Sequence, residues 1–182
     1  GNIFFDFVTP HETIKNIQLG VPVKINIENS VGAMALAYLN GVTPEELRHA
    51  MATFEGAKRR FDFLLKTAKL VMIDDYAHHP EELAASITSV KELYPDRKVT
   101  GIFQPHLYSS TRDFAPEFAR SLSLLDELIL LDIYPAREKP IEGVTSKIIF
   151  DKVTCPKILC TNEELVPLLD KKKDLEVLLT IG

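Results

Sequence analysis

Three stretches of this sequence gather carboxylates, imidazoles, phenols and amides: Asp74-Asp75-Tyr76-Ala77-His78-His79, Gln104-Pro105-His106-Leu107-Tyr108-Ser109-Ser110, and Asp132-Ile133-Tyr134 with Arg137 and Glu138. Three of the chain's five histidines lie in them. Asp with several His could bind a divalent metal, because carboxylate and neutral imidazole are its usual ligands. Asp75, His78, His79 and His106 lack the His-x-x-x-His helical pair or the glutamate of zinc patterns, however, so that signal is weak. The same groups could instead orient a nucleotide and a small acid or amine, with His and Tyr as donors and Arg as a carboxylate fork. Taken singly, each residue has a plain structural explanation. His79 could flank the helix start at Pro80-Glu81-Glu82, Asp75 could brace a turn, Tyr76 could pack, and Pro105 or Pro135 could stop a strand. Those explanations give no reason for the groups to collect in successive loops of one kind.

The surrounding pattern makes the loops equivalent. From Phe61 onward, strand-like runs at 70–73, 99–103, 128–131, 157–160 and 177–181 alternate with helical stretches at 80–93, 111–125, 145–153 and 162–173. Near-continuous apolar strands separated by helices predict an α/β fold: a Rossmann-like, mostly parallel, five-stranded sheet with helices on both faces. Ligands of such sheets bind beyond the carboxyl ends of the strands, where all three polar stretches fall. Before Gly56 the pattern differs. Residues 2–27 alternate apolar and polar positions through Ile3, Phe5, Phe7, Val21, Val23, Ile25 and Ile27, which predicts short antiparallel strands. A helix is expected from Ser30 to Asn40, ended by Asn40-Gly41, and another from Thr43-Pro44-Glu45-Glu46 to about Phe54. The expected boundary lies near Gly56, with residues 1–56 an incomplete domain and 57–182 the Rossmann-like one.

Composition narrows the partners. A formal charge of −5 with scattered Lys and Arg leaves no footprint for nucleic acid or an anionic membrane. Lys171-Lys172-Lys173 closes an expected helix, where cations suit the dipole. Cys155 and Cys160 match neither a metal spacing nor a disulfide framework and read as reduced structural thiols. No apolar run approaches the roughly 20 residues of a membrane span, and no signal pattern opens the chain, so a cytoplasmic protein is expected. The start at Gly1 and the stop just after a strand-like run suggest that both ends are cut.

The motifs Asp74 to Pro80, Phe103 to Tyr108 and Asp132 to Val144, in that order, together with Phe54 to Phe61, resemble the Mur-type ligases, in particular those joining L-alanine to UDP-N-acetylmuramate in peptidoglycan synthesis. The resemblance covers nearly the whole chain. It implies three domains, of which residues 1–56 are the tail of the central ATPase and 57–182 the Rossmann-like C-terminal domain, truncated after its last strand. It further implies an acyl-phosphate route using ATP and Mg2+, and completion of the site when this domain closes over the ATPase. It places Asn29 at adenine, Arg60 and Asp75 on the nucleotide, and Tyr76, His78 and His106 at L-alanine. No residue in the chain is assigned to catalysis or to metal. No Gly-x-x-x-x-Gly-Lys-Thr loop occurs, so the chain alone is expected to be inactive.

Three departures stand out. His106-Leu107-Tyr108-Ser109-Ser110-Thr111 replaces the family's His-Arg-Tyr-Ser-Arg-Thr, leaving Arg112 or Arg137 as candidate substitutes for two arginines. Glu28-Asn29-Ser30-Val31-Gly32 stands for His-Asn-x-x-Asn, which leaves one adenine-reading Asn instead of two. The family's Gly-Ala-Gly-Asp after the last strand is absent beyond Gly182. The alternatives are a ligase recycling muramyl tripeptide, a divalent-metal hydrolase built on the Asp/His cluster, and a non-catalytic nucleotide-binding module.

Overall fold

The structure, a computed structural model, describes residues 2–182. The chain divides into two compact units between Lys58 and Arg59.

In the first unit, β1 (Ile3–Val8) and β2 (Thr13–Leu19) form an antiparallel pair, followed by α1 (Ile25–Leu39) and α2 (Pro44–Thr53). Phe7, Ile14, Ile17, Met34 and Leu47 make its core. α2 starts where Thr43 and Pro44 predict. The Thr43 side chain accepts from the Glu46 N–H while Glu46 reaches back to the Thr43 N–H, a reciprocal cap that satisfies two otherwise orphaned donors. α1 differs from expectation. It begins at Ile25, so Ile25 and Ile27 belong to a helix and not to a strand. Val21 and Val23 are buried in an irregular segment before it. Lys24 sits at the N-cap with no side-chain cap, so no sequence signal marks this helix start.

The second unit is a six-stranded sheet in the order β3-β4-β8-β5-β6-β7. Its strands are β3 (Asp62–Lys66), β4 (Val71–Asp75), β5 (Val99–Phe103), β6 (Glu127–Leu130), β7 (Lys157–Leu159) and β8 (Val177–Ile181). All pairings are parallel except that of β3 with β4. The central strands are buried along almost their whole length, as their unbroken apolar sequence requires. The helices are α3 (Pro80–Leu93), α4 (Tyr108–Leu122), α5 (Lys147–Phe150) and α6 (Asn162–Lys171).

The sixth strand, β3, is the addition to the expected five. It is a half-exposed edge with a bulge between Phe63 and Leu65, so it shows neither a buried apolar run nor regular alternation. α4 starts at Tyr108, three residues before expectation, and is kinked at Phe114, two residues before Pro116. α5 is a single turn, where a longer helix was expected over 145–153.

Candidate functional site

β8 lies between β4 and β5, so the carboxyl edge of the sheet runs from the loop after β4, past Gly182, to the loops after β5 and β6. Gly182 has φ +116°, and a Cβ there would sit 2.5 Å from the Gln104 carbonyl oxygen. Only glycine lets the chain leave β8 this close to β5.

At the β4 end, Arg59 ties the loop together. Its Nη2 donates to the Gly182 carbonyl at 2.7 Å, its Nε to Asp74 Oδ2 at 3.3 Å, and its guanidinium lies 4.7 Å from the Tyr76 ring centroid. The Tyr76 N–H donates to the Arg59 carbonyl at 2.7 Å. Tyr76 and His78 are in ring contact, with centroids 5.2 Å apart, and His78 Nδ1 is 3.0 Å from the Tyr76 carbonyl oxygen. Arg60 is exposed between Arg59 and Phe61, both with positive φ, a backbone held away from the usual wells.

Asp75 accepts from the Phe61 N–H at 3.4 Å. Burial pushes its carboxyl above the ordinary value, while the neighbouring Ser86 hydroxyl, the Phe61 N–H and the Arg60 charge pull it back. The Ser86 hydroxyl is fully buried and has no partner within hydrogen-bond geometry, so its part is that of a nearby dipole and not of a formed bond.

His79 takes the structural role. It is the N-cap of α3, accepting from the Glu81 N–H, and its ring packs 5.3 Å from that of Phe114. Glu82 answers by accepting from the N–H groups of both His78 and His79 at 3.1 and 3.3 Å.

The loops after β5 and β6 stay paired beyond the strands. His106 and Tyr134 form a parallel bridge with ring centroids 5.5 Å apart, and the Leu107 N–H donates to the Tyr134 carbonyl. Ser109 binds Glu138 through both its N–H and its hydroxyl. The ring partner of His106 is therefore Tyr134, while Tyr76 and His78 pair with each other on the other side of β8. Arg112 is engaged by Asp113 at 2.7 Å, whereas Arg137 is exposed. Among the described residues, no three His, Cys, Asp or Glu side chains are arranged to hold a metal ion. Asp75, His78 and His106 are not gathered into such a group.

Asn29 belongs to the first unit, where it lines a cavity of about 210 Å³ walled by Leu19, Val21, Ala33, Met51 and Phe54, with Asn26 and Ser30 as the other polar groups. Its Nδ2 donates to Asn26 Oδ1 at 3.3 Å.

This chain belongs to the Mur ligase family: the model of the Mur ligase glutamate ligase domain matches residues 59–182. Among curated relatives, the UDP-N-acetylmuramate--L-alanine ligase of Parabacteroides distasonis is 68% identical over 100% of this chain and 39% of its own length. That of Phocaeicola vulgatus is 59% identical over 100% of this chain and 40% of its own. The chain thus spans about two fifths of these relatives. The crystal structure of the UDP-N-acetylmuramate-alanine ligase of Thermotoga maritima superposes with a TM-score of 0.75 at 26% identity, over 92% of this chain and 36% of that one. Folylpolyglutamate synthase from the same organism shares the fold, with a TM-score of 0.72 at 16% identity over 97% of this chain and 40% of its own.

Proposed function

We propose that this chain is the C-terminal part of an ATP-dependent ligase that forms the amide between UDP-N-acetylmuramate and L-alanine in the cytoplasm. The observation that carries this reading is the 68% identity, across all of this chain, to a relative named for that reaction. In this reading residues 1–58 are the end of the central ATPase domain and residues 59–182 the C-terminal domain, with the rest of the ligase as their partner. The substrate carboxylate takes the γ-phosphoryl of ATP and releases ADP, and the amine of L-alanine then attacks the acyl carbon, forming the amide as inorganic phosphate leaves. Magnesium would screen the phosphates during that transfer.

This chain's own residues bind and orient. Asn29 reads adenine. Arg60, exposed and cationic, pairs with phosphate, and Asp75 accepts from ribose hydroxyls. Tyr76 and His78, held in contact and braced by Arg59 and Glu82, receive the amino acid together with His106. The paired loops after β5 and β6 give that side a fixed backbone.

The test uses the full-length ligase. It should release ADP only when both UDP-N-acetylmuramate and L-alanine are present, and Asp75→Ala should weaken ATP binding about tenfold, the scale of a hydrogen bond to a charged group. ADP release without L-alanine would defeat the proposed reaction; unchanged ATP affinity in the variant would take Asp75 out of the nucleotide site.

A further inference from the structure

The backbone is strained where the loop after β5 enters α4. Leu107 follows His106 directly and has φ +69° with ψ 139°, a pairing of positive φ with extended ψ that belongs almost entirely to glycine. An L side chain stays there only where its surroundings over-determine it. Here they do so through both flanking peptides. On the near side, the Tyr134 N–H donates to the Pro105 carbonyl at 2.8 Å and the Leu107 N–H donates to the Tyr134 carbonyl at 3.0 Å, so His106 sits between two bonds to one residue. On the far side, the Leu107 carbonyl accepts twice from Thr111, from its N–H at 3.1 Å and from its hydroxyl at 2.8 Å. The N–H bond is the ordinary first bond of a helix, and the hydroxyl bond is additional. Thr111 is 0% exposed, so water does not compete for that hydroxyl. The turn held in this way takes the chain from the bridge at His106 into helix at Tyr108 through one residue. Any change in the Leu107 dihedrals swings the His106 peptide relative to α4.

We infer that Thr111 is a positioning residue for the amino-acid side of the site: its hydroxyl locks the strained Leu107 turn and thereby fixes where His106 stands. The inference rests on the assignment of His106 to L-alanine. It also gives a reason for a hydroxyl at this position. Thr111 shares its buried face of α4 with Ala115, Phe118 and Leu122, all apolar, and packing alone would be met by valine.

The experiment measures the KM for L-alanine of the full-length ligase, at saturating ATP and UDP-N-acetylmuramate, beside equilibrium binding of ATP. Thr111→Val keeps the shape and removes the donor, and should raise that KM roughly fivefold, the scale of one net hydrogen bond, while ATP affinity holds. Thr111→Ser retains the hydroxyl and should keep the KM. Leu107→Gly added to Thr111→Val should recover most of the loss, because glycine adopts the turn without strain and needs no lock. Should Thr111→Val not fold, Thr111→Ala makes the same comparisons. An unchanged KM in Thr111→Val or Thr111→Ala, an equal rise in Thr111→Ser, an equal loss of ATP affinity, or no recovery from Leu107→Gly overturns the inference. His106→Ala separates the two levels. If it leaves the KM for L-alanine intact, His106 does not touch the amino acid and the underlying reading fails too; if it raises that KM while Thr111→Val changes nothing, only the role of Thr111 falls.

Discussion

Burial raises the Asp75 carboxyl above its ordinary 3.8, and Glu82 adds to the rise, while the Ser86 hydroxyl, the Phe61 N–H and the charge of Arg60 favour the ionised form without prevailing. A carboxyl whose folded value exceeds its unfolded one binds more protons in the folded state between the two. Its contribution to stability is therefore present below 3.8 and lost as pH rises through the folded value. Above the folded value, keeping a charge on the half-buried Asp75 is a standing cost, of the kind binding sites carry. Asp75→Asn keeps an acceptor for the Phe61 N–H and removes the charge. Its melting temperature should exceed that of the unaltered protein at pH 7 and converge with it toward pH 3.5, in thermal unfolding followed by circular dichroism. A lower melting temperature at pH 7 would mean that the ionised form is the favoured one. Asp75, Tyr76 and His78 are legible in the sequence because they crowd into one short motif. Arg59 is not legible there, because its role is made by contacts with Gly182, 123 residues away, and with Tyr76, and no local pattern contains them. Glu82 carried a readable signal, lying three and four residues after His79 and His78, the spacing of a capping box.

α3 shows how an element holds the site as well as the fold. Glu82 is somewhat desolvated, which raises its carboxyl, but the N–H groups of His78 and His79 and the two imidazoles outweigh this and lower it below 4.5. Its contribution is thus present above that value and lost as pH falls through the lowered one. Glu82→Ala removes the cap and should cost about 1 kcal/mol in urea unfolding at pH 7, with Glu82→Gln, which can still accept, losing less. Equal losses would place the effect in charge alone. In the first unit, the packing of β2 on α2 depends on Gly20, whose N–H donates to the Met51 carbonyl and whose Cβ, if present, would lie 2.2 Å from the Phe54 carbonyl oxygen. Gly20→Ala must push backbone away from backbone, so it should cost about 1–3 kcal/mol and loosen the cavity walled by Met51 and Phe54. A fully stable Gly20→Ala protein would show that this contact yields easily. Elements announced by caps or continuous apolar runs are legible: α2, α3 and the buried strands. Those without such marks are not: α1 begins at an uncapped Lys24, β3 is a bulged, half-exposed edge, and α4 passes through a kink before Pro116.

At the scale of the whole molecule, the two units differ in how much structure each closes on itself. Every strand neighbour of the six-stranded sheet lies within residues 59–182, and so do α3 to α6. The described residues 2–58 hold one two-stranded sheet, two helices and a core built on Phe7, Ile14, Ile17, Met34 and Leu47. A unit of that size buries a smaller fraction of its surface and has correspondingly less stability to draw on. Residues 59–182 expressed alone should therefore fold, and should unfold in urea as one cooperative transition seen alike by circular dichroism and by tyrosine fluorescence, since four of the chain's five tyrosines lie there. In the whole chain at low urea, the amides of β1, β2 and α1 should exchange hydrogen at a lower opening free energy than those of β4, β5, β6 and β8. If the two sets instead exchange together, at a free energy equal to that of global unfolding, the division at Lys58 marks only a thinning of contacts and the chain is a single cooperative body. If they separate, Asn29, which the proposed function sets against adenine, resides on the less stable unit, and in the full-length ligase ATP should protect β1, β2 and α1 from exchange more than it protects the central sheet.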